Sequence, residues 1–317
     1  MKLAGERKNL PTSLMMRFGN NKKRNKWPKY NGRAHAGRAE SDLRGIFDDV
    51  DDIERTRLLN YYFRFTWVRG FSSPVHDILK AGDSKVLDIG CGSKDFLLEL
   101  SSEYPKSHFY SVDCASKYSL TALPHNVTLQ QYDLLEGFPY DDETFDFVNI
   151  RFVKHCFSEN EWKTIIIPNI MRVVKPGGWI EFMDVDENVY NTGPETRRFM
   201  QIVESPYGLA SNNFSTNDFY DLKIESLQEI IQSAQPELGS LIVIDKLIPW
   251  HPTHSSVHKT DIHLANKLLN SLKFKVHLEY GMKLDQFDKM SNKIISEVEE
   301  FKTYTMTYRM FARKRQL

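Results

Sequence analysis

Short apolar runs bounded by polar turns alternate along the middle of the chain with stretches whose apolar residues recur every three or four positions. Val86-Leu87-Asp88-Ile89, Phe109-Tyr110-Ser111-Val112, Val127-Thr128-Leu129 and Phe145-Asp146-Phe147-Val148-Asn149-Ile150 predict strands over 85–89, 108–113, 126–131 and 145–150. Helical spacing predicts helices at about 95–104 and 159–173, followed by a strand over 179–184. No helix is evident between the third and fourth strands, where Gly137 to Glu143 reads as a loop. Near-continuous apolar strands separated by helices belong to a parallel sheet covered on both faces.

Ile53, Leu58, Leu59, Tyr62 and Phe63 give helical spacing over about 52–65, and a short helix is expected from Pro74 to Lys80. Downstream the pattern predicts helices near 194–204 and 218–233, a strand at about 241–248, a helix from Leu284 to Phe301 and a strand from Thr303 to Arg313. The two late strands would close one sheet edge as an antiparallel pair. The expected fold class is therefore α/β, a doubly wound, seven-stranded Rossmann-like sheet with an antiparallel C-terminal edge.

Composition fits one large domain, since 317 residues with 41% apolar and 26% charged positions can bury a sizeable core. No run approaches the roughly 18 uninterrupted apolar residues of a membrane span, and the N-terminus lacks the apolar core of a secretory signal. No membrane partner is expected, and the location read from this is cytoplasmic or nuclear. Cys91, Cys114 and Cys156 lack metal-ligand spacing and cannot all pair, which fits a reducing compartment and small buried thiols, with no metal site.

The net charge of zero conceals an asymmetry. Residues 1–45 carry 12 Lys/Arg against 3 Asp/Glu, or +9, which leaves 30 against 39, or −9, on the remainder. Residues 1–51, with Lys22-Lys23-Arg24-Asn25-Lys26, read as a basic, disordered arm. A solvated tail is the plain reading of it; nuclear localisation, nucleic-acid contact or an organelle transit peptide are the others. The acidic cluster 48–52 marks the boundary to a domain over 52–317, with a core at 84–186 and a variable region at 187–283.

The chemistry concentrates where strands would end. Asp88-Ile89-Gly90-Cys91-Gly92 has the form of a buried strand turning sharply into a helix beneath a nucleotide, where Gly90 and Gly92 admit backbone close to a ligand or take φ > 0. Asp113 ends the second strand 23 residues after Gly90, near the spacing at which an acid accepts from ribose hydroxyls. Asp133, in Gln131-Tyr132-Asp133-Leu134, is placed to accept from an exocyclic amine while Leu134 packs near the base. Arg151 ends the fourth strand, either to contact the ligand or to pair with an acidic strand end, and Asp88 can organise neighbouring backbone amides. A nicotinamide fingerprint, G-x-G-x-x-G, would need a small residue where Asp95 stands.

The chain resembles a class I S-adenosylmethionine-dependent methyltransferase of the fungal type related to regulators of secondary metabolism. The matching stretches include Phe71-Ser72-Ser73-Pro74-Val75-His76, Val86 to Gly92, Ser111-Val112-Asp113, Leu135 to Val148, Arg151-Phe152 and Val173 to Glu181. The likeness covers about 52–186 strongly and 187–317 loosely, the latter being where acceptor specificity is normally written. It implies S-adenosyl-L-methionine as cofactor, with the glycine turn at the methionine part, Asp113 at the ribose and Asp133 at adenine. One departure is specific: Lys94 stands where the family has a third glycine.

In-line methyl transfer depends on positioning and on a favourable field, so no triad is required. For an oxygen or nitrogen acceptor, His155 is the candidate base, with a surface or helix-capping histidine as its plainer reading. Tyr62, Arg64 and the aromatic-rich segment 206–220 are lid candidates. Two classes of function follow: methyl transfer to an unidentified acceptor, or a catalytically weak or inactive methyltransferase-fold protein with a regulatory protein partner.

Overall fold

The computed structural model describes residues 66–113, 123–204, 222–234, 237–250 and 280–316, together with scattered positions over 29–34, 57–64 and 265–277. Its seven-stranded sheet comprises β1 (Lys85–Ile89), β2 (His108–Asp113), β3 (Val127–Gln131), β4 (Phe145–Arg151), β5 (Val174–Tyr190), β6 (Ile242–Pro249) and β7 (Tyr304–Arg313). The order is β3-β2-β1-β4-β5-β7-β6. The first five strands are parallel, and β7 runs antiparallel to both β5 and β6. The doubly wound sheet and its antiparallel C-terminal edge match the sequence reading.

Alternation along the central strands supplies two cores, because successive side chains leave opposite faces. Leu87 and Ile89 of β1 and Val148 and Ile150 of β4 join Trp162, Ile166 and Ile170 on one face. Val86 and Phe147 join Leu79 of α1 (His76–Ala81) and Leu97 and Leu100 of α2 (Asp95–Glu103) on the other. Burying side chains of this size stabilises by about 1.5–3 kcal/mol each, which accounts for the uninterrupted apolar runs.

The helical segment 159–173, α3, departs from one regular helix. It opens on a capping box between Ser158 and Glu161, widens to a π-turn over Trp162–Ile166 and resumes as Ile167–Val173. Pro168 lacks the N–H that would bond back to residue 164, which explains the wide turn before it. Strand β5 is longer than the expected 179–184: it pairs with β4 at Val174, slips over the Pro-Gly-Gly turn, where Gly177 has φ 80°, and resumes at Trp179. A short 3-10 turn, Leu134–Glu136, stands between β3 and β4 where no helix was expected.

Three further helices, α4 (Pro194–Glu204), α5 (Ile224–Ser233) and α6 (Leu284–Glu300), complete the elements used below. α5 starts later than the expected 218, and residues 205–221, with the lid segment 206–220, lie outside the described residues. The basic arm, expected to lack structure, holds one antiparallel pair between Lys29–Tyr30 and Arg33–Ala34; the rest of 1–51 lies outside the described residues. No helix among the described residues is long and apolar enough to cross a membrane.

A buried carboxylate fastens the chain preceding α1 to the sheet. Glu181 of β5 is fully buried and accepts from the backbone amides of Ser72 and Ser73 and from the Ser73 hydroxyl, at 2.7–2.9 Å. Arg309 of β7 lies 3.6 Å away, donates to the carbonyls of Arg69 and Gly70, and places its guanidinium over the Trp67 ring. Burial raises the Glu181 pKa, against the opposing effects of Arg309 and the serine donors. It lowers that of Arg309 to about 10, with Glu181 opposing.

Candidate functional site

Chain reversal between β1 and β4 creates a switch point, and a doubly wound sheet binds ligands at the carboxyl ends of the strands beside it. Registers Asp113↔Gln131, Ile89↔Val112 and Ile89↔Ile150 bring the ends of β3, β2, β1 and β4 to one edge. Every cofactor-binding residue expected from the sequence lies at or just beyond that edge.

The turn after β1 is built from left-handed backbone. Gly90, Gly92 and Lys94 have φ of 71°, 49° and 64°. A Cβ on Gly90 would collide with Val153 Cγ1, so both conformation and contact demand glycine there. Gly90 N donates to the Val112 carbonyl at 3.0 Å and Gly92 N to Asp113 Oδ2 at 3.2 Å, tying the turn to the end of β2. Lys94 is the N-cap of α2, is 8% exposed, and donates its backbone N–H to the Cys91 carbonyl. The lysine thus takes the backbone conformation that suits glycine, and the turn keeps its shape.

Asp88 does not meet neighbouring backbone amides. Its Oδ1 accepts from Asn149 Nδ2 at 2.8 Å, and its Oδ2 is buried without a hydrogen-bond partner. Burial lifts its pKa to about 6, against the lowering effects of Arg151 and the Asn149 hydrogen bond. Asn149 Oδ1 and Arg151 Nε are likewise buried and unpartnered. Among the described residues Arg151 makes no direct ion pair: Nη1 donates to Asn60 Oδ1 at 3.0 Å, and the guanidinium lies 3.6 Å over the Phe96 ring. Burial lowers its pKa, opposed by Asp88 and Glu99.

Asp133 caps the 3-10 turn, accepting from Leu135 N at 3.0 Å, while Leu134 is buried. His155 lies in the turn Lys154–Cys156 after β4, and its side chain is outside the described residues, as is Tyr62. Arg64 pairs with Glu99 on α2. Burial pushes the Cys91 thiol far above its ordinary range, as do the nearby Asp113 and Asp88, which suits a small buried residue rather than a nucleophile. Among the described residues no group of three or more His, Cys, Asp or Glu could hold a metal.

Asn149, Asn60 and Phe96 were not picked out from the sequence. Asn149 carried a signal, as a lone amide inside the apolar run Phe147-Val148-Asn149-Ile150. Asn60 and Phe96 carried none, because only the packing of distant segments brings them to Arg151.

A doubly wound sheet with a glycine turn at its switch point and acids after β2 and β3 defines a nucleoside-binding class of domain. Residues 86–178 match the family model described as Methyltransferase domain. The chain is 35% identical over 102 residues to methyltransferase str3 of Strobilurus tenacellus, covering 32% of this chain and 35% of that protein. It is 30% identical over 189 residues to N-methyltransferase verN of Clonostachys rogersoniana, covering 53% and 64%. It is 25% identical over 212 residues to the secondary metabolism regulator laeA of Coprinopsis cinerea, covering 66% and 49%. Residues 86–178 are thus similar to methyltransferase domains, and the chain is similar over part of its length to fungal methyltransferases and to LaeA regulators. It spans about a third to two thirds of the length of these relatives.

The residues present fit the cofactor of that class. Buried acceptors on Asp88 and Asn149 beside a buried donor on Arg151 are complementary to an amino-acid group that both donates and accepts. Asp113 ends β2 and Asp133 follows β3 along the same sheet edge.

Proposed function

We propose that this chain transfers a methyl group from S-adenosyl-L-methionine to an acceptor by in-line displacement. The observation that supports it most directly is the left-handed turn Gly90-Cys91-Gly92 held to Asp113 at the switch point. In this reading the cofactor supplies an electrophilic sulfonium methyl. The turn, with Asp88 and Arg151, binds its methionine end; Asp113 accepts from ribose hydroxyls; Asp133 accepts from adenine, which Leu134 flanks. Val86, Phe96 and Phe147, buried on the sheet face that Asp88 and Asn149 share, keep water from these polar groups, so they act in a low-dielectric setting. Alignment of acceptor and methyl supplies most of the acceleration, and His155 takes a proton where the acceptor is a hydroxyl or ammonium group.

A second reading rests on Lys94. A buried lysine at the third glycine position of the turn supports a weakly active or inactive relative that acts through a protein partner, with the basic arm addressing the nucleus or nucleic acid. Calorimetric titration with S-adenosylmethionine and S-adenosylhomocysteine separates the two. Micromolar binding that is lost in Asp113→Ala supports the enzyme. Absence of binding that Lys94→Gly restores supports the regulator.

A further inference from the structure

The described residues within 57–67 meet α2 and Arg151, beside the turn after β1, on one polar stripe. Arg57 pairs with Asp95 at 3.3 Å and Arg64 with Glu99, both on α2, and between them Asn60 accepts from Arg151. Positions 57, 60 and 64 share one helical face. Its far end is anchored by Phe63 and Trp67, which pack with Met183 and Ile248, Phe63 lying 4.7 Å from the Phe152 ring.

The two outer ties are solvent-exposed ion pairs, of a kind that contributes little to holding a segment in place. The central one is different: Asn60 is 8% exposed and meets a guanidinium whose Nε is buried and unpartnered. Arg151 is a half-buried cation whose Nη1 meets one amide oxygen and whose guanidinium faces the Phe96 and Phe152 rings, with Asp88 near but not in contact. Among the described residues no carboxylate pairs with this charge, and a ligand carboxylate at the turn would complete it.

We propose that Asn60 is a positioning residue that couples docking of the 57–67 segment to cofactor binding through Arg151. The inference rests on the cofactor reading above. A carboxylate bound by Arg151 fixes the guanidinium, the fixed guanidinium holds Asn60, and Asn60 holds the segment over the turn. By reciprocity a docked segment raises cofactor affinity by the same factor as the cofactor stabilises docking.

The test is hydrogen exchange of the full chain over 57–67 and over the turn 85–95, with and without S-adenosylhomocysteine, alongside calorimetry. In the natural chain the ligand slows exchange in both regions. Asn60→Ala raises the dissociation constant about tenfold and abolishes the slowing at 57–67 while keeping it at 85–95. Asn60→Asp pairs with the guanidinium itself, so 57–67 is protected without ligand and the ligand adds no further slowing there. A merely structural role would leave affinity intact once the segment is docked. Binding that protects 85–95 but not 57–67, or ligand slowing at 57–67 in Asn60→Ala equal to that in the natural chain, overturns the coupling alone. No binding by the natural chain overturns the cofactor reading and the coupling with it.

Discussion

Asn149 on β4 donates its side-chain amide to Asp88 on β1 at 2.8 Å, a buried tie between the two strands that flank the switch point. The pair is only half satisfied, since Asp88 Oδ2 and Asn149 Oδ1 are both left without hydrogen bonds. A buried polar pair of this kind costs stability unless something completes it.

Asp88 should therefore make stability fall as pH rises. Its pKa is about 6 in the folded chain against an ordinary 3.8, so the folded state binds the proton more tightly. The contribution is full below about pH 4, is lost through pH 6 and is flat above, for a total of roughly 3 kcal/mol. Asp88→Asn removes this dependence and lets residue 88 donate to Asn149 Oδ1. Urea unfolding of the two proteins from pH 4 to 7.5 should show the variant gaining on the natural chain up to about pH 6.5; parallel curves would contradict the assignment.

Glu181→Ala strands Arg309 in the interior and frees the amides of Ser72 and Ser73. Loss of one partner of a buried pair costs about 3–5 kcal/mol. Arg309→Met in the same background should restore part of that, because the uncompensated charge is gone. Equilibrium unfolding of the four members of this cycle gives the answer, and additive losses would show that the two side chains do not act together.

Gly90→Ala meets two separate penalties, a positive φ and a collision with Val153. Adding Val153→Ala relieves the second and leaves the first, roughly 1–2 kcal/mol. Thermal melts should place the double variant between Gly90→Ala and the natural chain. Calorimetry should show weakened S-adenosylhomocysteine binding in Gly90→Ala.

Lys94→Gly and Lys94→Ala remove the same charge but differ in backbone freedom. With φ at 64°, alanine keeps the strain that glycine escapes, so the glycine variant should be the more stable by about 1 kcal/mol. Equal denaturation midpoints for the two would mean that the left-handed turn is not maintained when the lysine is replaced.

The order of strands and helices was legible in the sequence because it is written in local periodicity. β1 and β2 fall at the limits expected, since an apolar run between turn residues has few other ways to be buried. The glycine turn and the acids after β2 and β3 were legible for a related reason: the chemistry needs those residue types at fixed offsets from strand ends. Tertiary structure decided what depends on segments far apart in the chain. Asn60 and Phe96 lie 91 and 55 positions from Arg151, yet they set its surroundings. Glu181 and Arg309 meet only because β7 inserts antiparallel beside β5. The state of Asp88 follows from burial beside Asn149, which no pattern of neighbouring residues encodes. Periodicity fixes where a chain turns and which face it buries; the partner across a strand, and with it the charge a side chain carries, is set by packing.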